Sequence, residues 1–510
     1  MDVDELRLRN EAKADEERER GPTSSDPESA PVGDAIEDFH DRDALAFGIP
    51  AHRFGTGSVE FDAARWTGAK AFRADVGMNN GVDNRHQSWQ VEPTAMELFA
   101  EAVGADQTLF STNGSTLNVH VAFLTVARPG ETVVMARNGH KSAFSALVLA
   151  GVNPVYVDPV YDERRQVAHG VEPTELDRVL AEHPEAKAAV AFTPTYYGVS
   201  ADVAGLADSA HRHGIPLVTD DAWGLDYSFC SRLPASALES GADLAIGSVH
   251  KTLSGFGQTS VLSTQGDLID TGRLELVFEL EQSTSASALL ISSIDAARRQ
   301  FQREGEALLG GAIDRARRLR DAIADIPGLE LMPESIAPGP GAKAMDPTHV
   351  SVDVVDLGIT GFSAADWLRE HRRIHVELAD HRRVMALISF ADGDDNIDRL
   401  SAALRDLSEH RGEADPAPDF EVPAPAELRM PTEMLPRDAF LGPTTEVPWR
   451  QAAGRISAEM ICPYPPGIPI VAPGERLSTE VVDYLEQTVA MGGKVEGAGE
   501  EGLETFRVVA

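Results

Sequence analysis

Ser248-Val249-His250-Lys251-Thr252-Leu253 sets an amine, an imidazole and a hydroxyl side by side after an apolar run, Ala242 to Ile246, that only Asp243 interrupts. A lysine amine condenses with a carbonyl to an imine, so a lysine placed just past a strand is a candidate covalent anchor for an aldehyde. The chain holds seven lysines, at positions 13, 70, 141, 187, 251, 343 and 494, so Lys251 is not one of a crowd of surface cations. Ser248 and His250 flank it with groups that can hold a phosphate.

Upstream, Ile215-Pro216-Leu217-Val218-Thr219-Asp220-Asp221-Ala222-Trp223-Gly224 is a short apolar strand that ends in acids. A carboxylate set against a pyridine nitrogen keeps the ring protonated and able to accept electrons. The plainer role for Asp220 is a turn cap. Thr112-Asn113-Gly114-Ser115-Thr116-Leu117-Asn118 follows a strand-like Thr108 to Phe110 and opens a helical run from Val119 to Ala127. Amides at a helix N-terminus bind anions, Gly114 permits close approach, and Ser115 and Thr116 add hydroxyls. Alone, this is an ordinary N-cap. Arg137-Asn138-Gly139-His140-Lys141-Ser142 again follows a strand, Thr132 to Ala136, and places an imidazole where it can stack on a ring. Lysine, carboxylate, phosphate cup and imidazole together describe a site for pyridoxal 5'-phosphate (PLP).

These four strings together resemble the Orn/Lys/Arg decarboxylase family of PLP fold type I. The likeness continues through Phe192-Thr193-Pro194-Thr195-Tyr196-Tyr197-Gly198, similar to the family's T-x-P-T-Y-x-G. Far downstream it returns in Ala453-Gly454-Arg455-Ile456-Ser457-Ala458-Glu459, in Tyr464-Pro465-Pro466-Gly467-Ile468-Pro469 and in Pro473-Gly474-Glu475. That late block resembles the family's C-terminal domain, which an aminotransferase is not expected to carry. The resemblance implies that Lys251 forms the imine, Asp220 pairs with the pyridine nitrogen and His140 stacks on the ring. It implies that Gly114, Ser115, Thr116, Ser248 and His250 surround the phosphate and that Trp223 lies near ring and substrate. Ser283-Thr284-Ser285 is similar to the segment that reaches a neighbouring subunit's cofactor phosphate, which implies a homodimer with shared sites. The implied activity is decarboxylation of lysine, arginine or ornithine, in polyamine synthesis or acid resistance, with Lys251 or His250 returning a proton to Cα. Asp226, Glu459 and Glu475 are candidates to receive the distal cation.

Departures from the family pattern bear on the substrate. Pro50-Ala51-His52 stands where P-G-H is usual, Asp221 where glutamate is common, and Asp226 where histidine is common. Ser285-Ala286-Ser287-Ala288 replaces S-P-S-Y. Transamination, elimination or oxidation by the same cofactor stays open on sequence alone, as does a non-catalytic regulatory protein of this fold.

The elements that must position these residues follow from periodicity. The chain's 510 residues suggest two or three domains. Residues 1–44 are charged and poor in apolar side chains, which predicts a disordered tail with a short helix over Glu5 to Arg20. From 45 to 300, apolar strands alternate with amphipathic helices, which predicts an α/β domain around a mainly parallel sheet, seven-stranded in the fold that the resemblance implies. Ser115, His140, Asp220 and Lys251 all follow predicted strands, and such sheets bind ligands beyond the carboxyl ends of their strands. A helix from Ser287 to Ile326 leads into a smaller α+β domain over 301–412, residues 413–428 form a linker, and 429–510 form a C-terminal α+β domain. Histidines 211, 213, 371, 375 and 381 lack partners at metal spacing, so no metal is expected. A net charge of −37 argues against a nucleic-acid partner. The absence of a long apolar run and of a signal-like start predicts no membrane span, and two cysteines fit a reducing cytoplasm.

Overall fold

A computed structural model describes residues 26–41, 49–55, 62–78, 82, 91–418, 423–464, 467–497 and 503–510. The helix expected over Glu5 to Arg20, and Pro465 and Pro466 of the late block, lie outside the described residues.

A seven-stranded sheet organises the large domain. Its strands are β1 (Gln107–Ser111), β2 (Thr132–Ala136), β3 (Asn153–Val157), β4 (Ala189–Phe192), β5 (Leu217–Asp220), β6 (Leu244–Ser248) and β7 (Ser260–Thr264). Their spatial order is β1-β7-β6-β5-β4-β2-β3. Pairings from β6 through β5, β4 and β2 to β3 are parallel, and β7 runs antiparallel to both β1 and β6. The predicted mainly parallel sheet is therefore what forms. Every residue of β2, β4, β6 and β7 is buried, as expected of strands covered on both faces. Asp243, the one acid in the β6 approach, caps the sheet: its Oδ2 accepts the Leu217 N–H at 2.7 Å and faces His211 Nε2 at 2.8 Å.

Residues 31–41 depart from the expected tail. They form helix α1 (Pro31–Asp41), whose Pro31, Val32, Ala35, Ile36 and Phe39 are buried. Asp295 and Arg298 fasten it, both with side chains 0% exposed and 2.9 Å apart. Asp295 accepts the Val32 N–H at 3.0 Å, and Arg298 donates to the carbonyls of Pro27 and Ser29, each at 2.5 Å. A composition-based reading misses this because the partners lie far away in the chain, on the long helix.

That long helix, Ala288–Ile323, leads into a four-stranded antiparallel sheet. Its strands are β8 (Glu330–Leu331), β9 (His349–Asp353), β10 (Leu378–Ala379) and β11 (Arg383–Leu387), in the order β8-β9-β11-β10. Farther on, β12 (Thr444–Pro448) pairs with β15 (Thr505–Val509), and β13 (Cys462–Tyr464) pairs with β14 (Lys494–Glu496). A separate apolar cluster that includes Ile461, Val471, Leu485 and Phe506 underlies this last unit. Among the described residues no helix is long and apolar enough to cross a membrane.

Candidate active site

The sheet delivers its chemistry at one edge. Asp220 is the last residue of β5, Ser248 the last of β6, and Lys251 sits in the short helix Val249–Thr252 that follows. Helix α2 (Gly114–Val126) begins just after β1, and His140 caps helix α3 (Lys141–Ala150) just after β2. A cavity of about 500 Å³ opens there. Gly114, Ser115, Thr116, His140, Asp220, Trp223, Ser248, His250 and Lys251 all line it, so nine of the ten predicted site residues converge. Thr284 does not. It is exposed and lines a different cleft with Asp75, Met78 and Gln107.

Lys251 is charged at a cost. Burial lowers its pKa, while the carboxylates of Asp220 and Glu377 resist that fall. Its Nζ stands 4.6 Å from the centre of the Trp223 ring. Asp220 shows the reciprocal effect: burial raises its pKa, against the pull of Lys251 and of the Ala222 N–H at 3.3 Å. Burial, then Lys251 and Lys141, brings His140 down from 6.5 to about 4, so its imidazole is neutral near pH 7. The Ser142 N–H donates to His140 Nδ1 at 3.2 Å, which puts the ring proton on Nε2. His250 is also lowered, chiefly by burial. Its Nδ1 lies 2.8 Å from the Thr259 carbonyl and must donate there, leaving Nε2 as the acceptor of the neutral ring.

The Ser115–Ser248 part of the cavity is suited to an anion. Ser115 Oγ and Ser248 Oγ lie 2.7 Å apart. Gly114 adopts φ +73°, and a Cβ there would meet nothing within 4 Å, so the backbone faces open space. Its own N–H is not part of the cup, since it donates to the Gln258 carbonyl at 2.8 Å. Ser115 and Thr116 lie in the first turn of α2, where amides have no acceptor within the helix. Gly139 has a different function: a Cβ there would fall 2.5 Å from the Phe192 ring, which also lines the cavity.

The three acids expected to receive a distal cation are engaged elsewhere. Asp226 is 4% exposed and off the cavity wall, with burial and neighbouring Asp346 pushing its pKa well up. Glu475 is 1% exposed and accepts from Ala472 N–H at 2.7 Å and from Arg137. Glu459 accepts the Arg507 N–H at 2.7 Å. Sequence reasoning passed over Glu377. It precedes β10, more than a hundred residues beyond Lys251, and only the packing of the small domain against the large one brings its charge to bear on the amine.

Comparison with known proteins joins this geometry to a family. Residues 30–338 match the major domain of Orn/Lys/Arg decarboxylase, and residues 425–501 match its C-terminal domain. An arginine decarboxylase of Bacillus anthracis is 34% identical over 481 residues, which is 94% of this chain and 97% of that protein. The chain belongs to the Orn/Lys/Arg decarboxylase family. A Bacillus subtilis arginine decarboxylase is 33% identical over 94% of this chain and 97% of its own length. The Francisella novicida lysine decarboxylase LdcF shares the fold at a TM-score of 0.78, with 20% identity, over 94% of this chain and 81% of that one. As a member of the Orn/Lys/Arg family the chain is an amino-acid decarboxylase acting on basic substrates, and membership implies PLP as cofactor.

Proposed function

We propose that this protein is a PLP-dependent arginine decarboxylase, releasing carbon dioxide and agmatine. The observation that carries the reading is the convergence of Lys251, Asp220 and His140 with the Ser115–Ser248 hydroxyl pair in one cavity. Arginine is favoured because arginine decarboxylases match at 33–34% identity over nearly the whole chain, whereas a lysine decarboxylase of Pseudomonas aeruginosa matches at 24% over 77% of it.

The donor set fits PLP. Lys251 would hold the cofactor's aldehyde carbon, Asp220 its ring nitrogen and His140 its ring face. Ser115, Thr116, Ser248 and His250 would hold its phosphate beside Gly114. When bound, PLP supplies an electron sink for the pair left at Cα as the carboxylate departs. The residues supply the rest. Asp220, partly buried, would present its carboxylate to that nitrogen. Neutral His140 would cover the ring without adding a competing positive charge. Trp223 walls the side toward Lys251 and excludes water from the amine. Lys251 is the group able to return a proton to Cα, since burial lowers the amine's pKa; His250 could do so only after its Nε2, which carries a lone pair, takes up a proton. Thr284, exposed on its own subunit, would serve the site of a second copy, which makes the working unit a homodimer. The test is incubation of the PLP-loaded protein with arginine, lysine or ornithine and identification of the amine. Agmatine as the main product supports the reading, and cadaverine or putrescine in excess rejects arginine.

A further inference from the structure

One motif remains unabsorbed by this chemistry: the late block around Gly467-Ile468-Pro469. It supplies no group to a cofactor, yet Ile468 lines the same cavity as Lys251. The chain fastens this loop on both sides of His140. On one side, Arg137 donates to the Pro469 carbonyl at 2.6 Å and to the Ile470 carbonyl at 2.9 Å. On the other, the Lys141 N–H donates to the Gly467 carbonyl at 3.1 Å.

Arg137 is itself held rigidly. Its guanidinium carbon lies 4.9 Å from the Phe144 ring centre and 5.1 Å from that of Tyr156. Buried Glu475 faces it at 3.4 Å and is fixed in turn by the Ala472 N–H at 2.7 Å. A planar, always-charged fork suits two adjacent carbonyls, and a lysine cannot reproduce it. This clamp is not what docks the C-terminal domain as a whole. Arg437, on helix Pro436–Leu441, separately donates to the carbonyls of Val148 and Leu149 at the end of α3.

We propose that the 467–470 loop is the specificity wall of the amino-acid pocket, with Ile468 limiting the length of side chain admitted and Arg137 as the positioning residue that holds the loop in place. The proposal rests on reading the cavity as the amino-acid site. An apolar wall packs against the methylenes of a linear basic amino acid and leaves its cationic head to reach a carboxylate beyond. Adding bulk at Ile468 therefore works against arginine more than against the shorter ornithine.

The experiment compares wild type, Ile468→Trp and the double variant Arg137→Met/Glu475→Gln, which removes the buried charge pair together. Two quantities are read on PLP-loaded protein: the equilibrium affinity for arginine and for ornithine, from the change in cofactor absorbance, and kcat/KM for each. For Ile468→Trp the arginine-to-ornithine ratio falls by about tenfold or more, carried by KM, the size expected for a methylene-scale misfit in an apolar pocket. The double variant also shifts that ratio while its melting temperature and PLP affinity stay near wild type, because Arg437 keeps the domain seated. Unchanged ratios in Ile468→Trp, with PLP bound, overturn the proposal. An unchanged ratio in the double variant overturns the role of Arg137. If wild type binds both amino acids but releases no carbon dioxide, the decarboxylase reading fails while the wall is still judged by the affinity ratio. If neither amino acid binds, both fall.

Discussion

Asp220→Asn keeps shape and removes one charge, and the geometry predicts two separate consequences. The first concerns Lys251 without cofactor. Burial pushes that amine down while Asp220 and Glu377 hold it up. An opposite charge at close range favours the charged form of an amine, so removing one lets burial act with less opposition. With asparagine in place, the pKa of Lys251 should fall further, Glu377 alone still opposing the fall. Competitive labelling of the apo protein against pH, followed by mass spectrometry of the Lys251 peptide, reads that midpoint directly. The second concerns turnover. A hydrogen bond to a charged group contributes about 1.5–3 kcal/mol. At about 1.36 kcal/mol per tenfold in rate, losing it where charge gathers slows decarboxylation roughly 10- to 150-fold. PLP should remain bound through the phosphate cup. A variant with an unmoved labelling midpoint and near-wild-type turnover would show that Asp220 is not the ring partner, leaving Asp221 as the next acid to test.

Three further outcomes follow from the same structure. His140 is held neutral, with its pKa brought from 6.5 to about 4, so the unfolded chain binds the extra proton first as pH falls. His140 therefore makes stability drop between pH 6.5 and about 4, and denaturant titrations of His140→Gln should show a shallower loss across that window. Asp295→Ala leaves Arg298 charged and buried without its carboxylate, a change that costs about 3–5 kcal/mol, so urea unfolding should shift strongly and protease should cut before Ala64 sooner. Chains carrying Lys251→Ala, mixed with chains in which Ser283, Thr284 and Ser285 are all alanine, should recover part of the lost activity under proven subunit exchange. No recovery would reject the shared site.

The large-domain sheet, and the gathering of nine of the ten candidate residues in one cavity, were legible because their signals are local. Each follows an apolar strand within a few residues, and a parallel sheet gathers such positions at one edge. Helix α1 was not legible, since its stability comes from Asp295 and Arg298 on a distant helix rather than from its own composition. The distal acids failed for a related reason. In a chain of net charge −37 an acid's type says little, and only packing shows that Glu475 answers Arg137 while Glu377 is felt at Lys251. The Gly467-Ile468-Pro469 stretch was visible as a family signature, but its place on the cavity wall depends on Arg137, more than three hundred residues away.

The central claim is that Lys251 holds the cofactor. Borohydride reduction of the PLP-loaded protein, followed by digestion and peptide mass analysis, tests it most directly. The account predicts a single pyridoxyl-labelled peptide containing Lys251. A label at Lys141, or at any of the other five lysines with Lys251 unmodified, would contradict it.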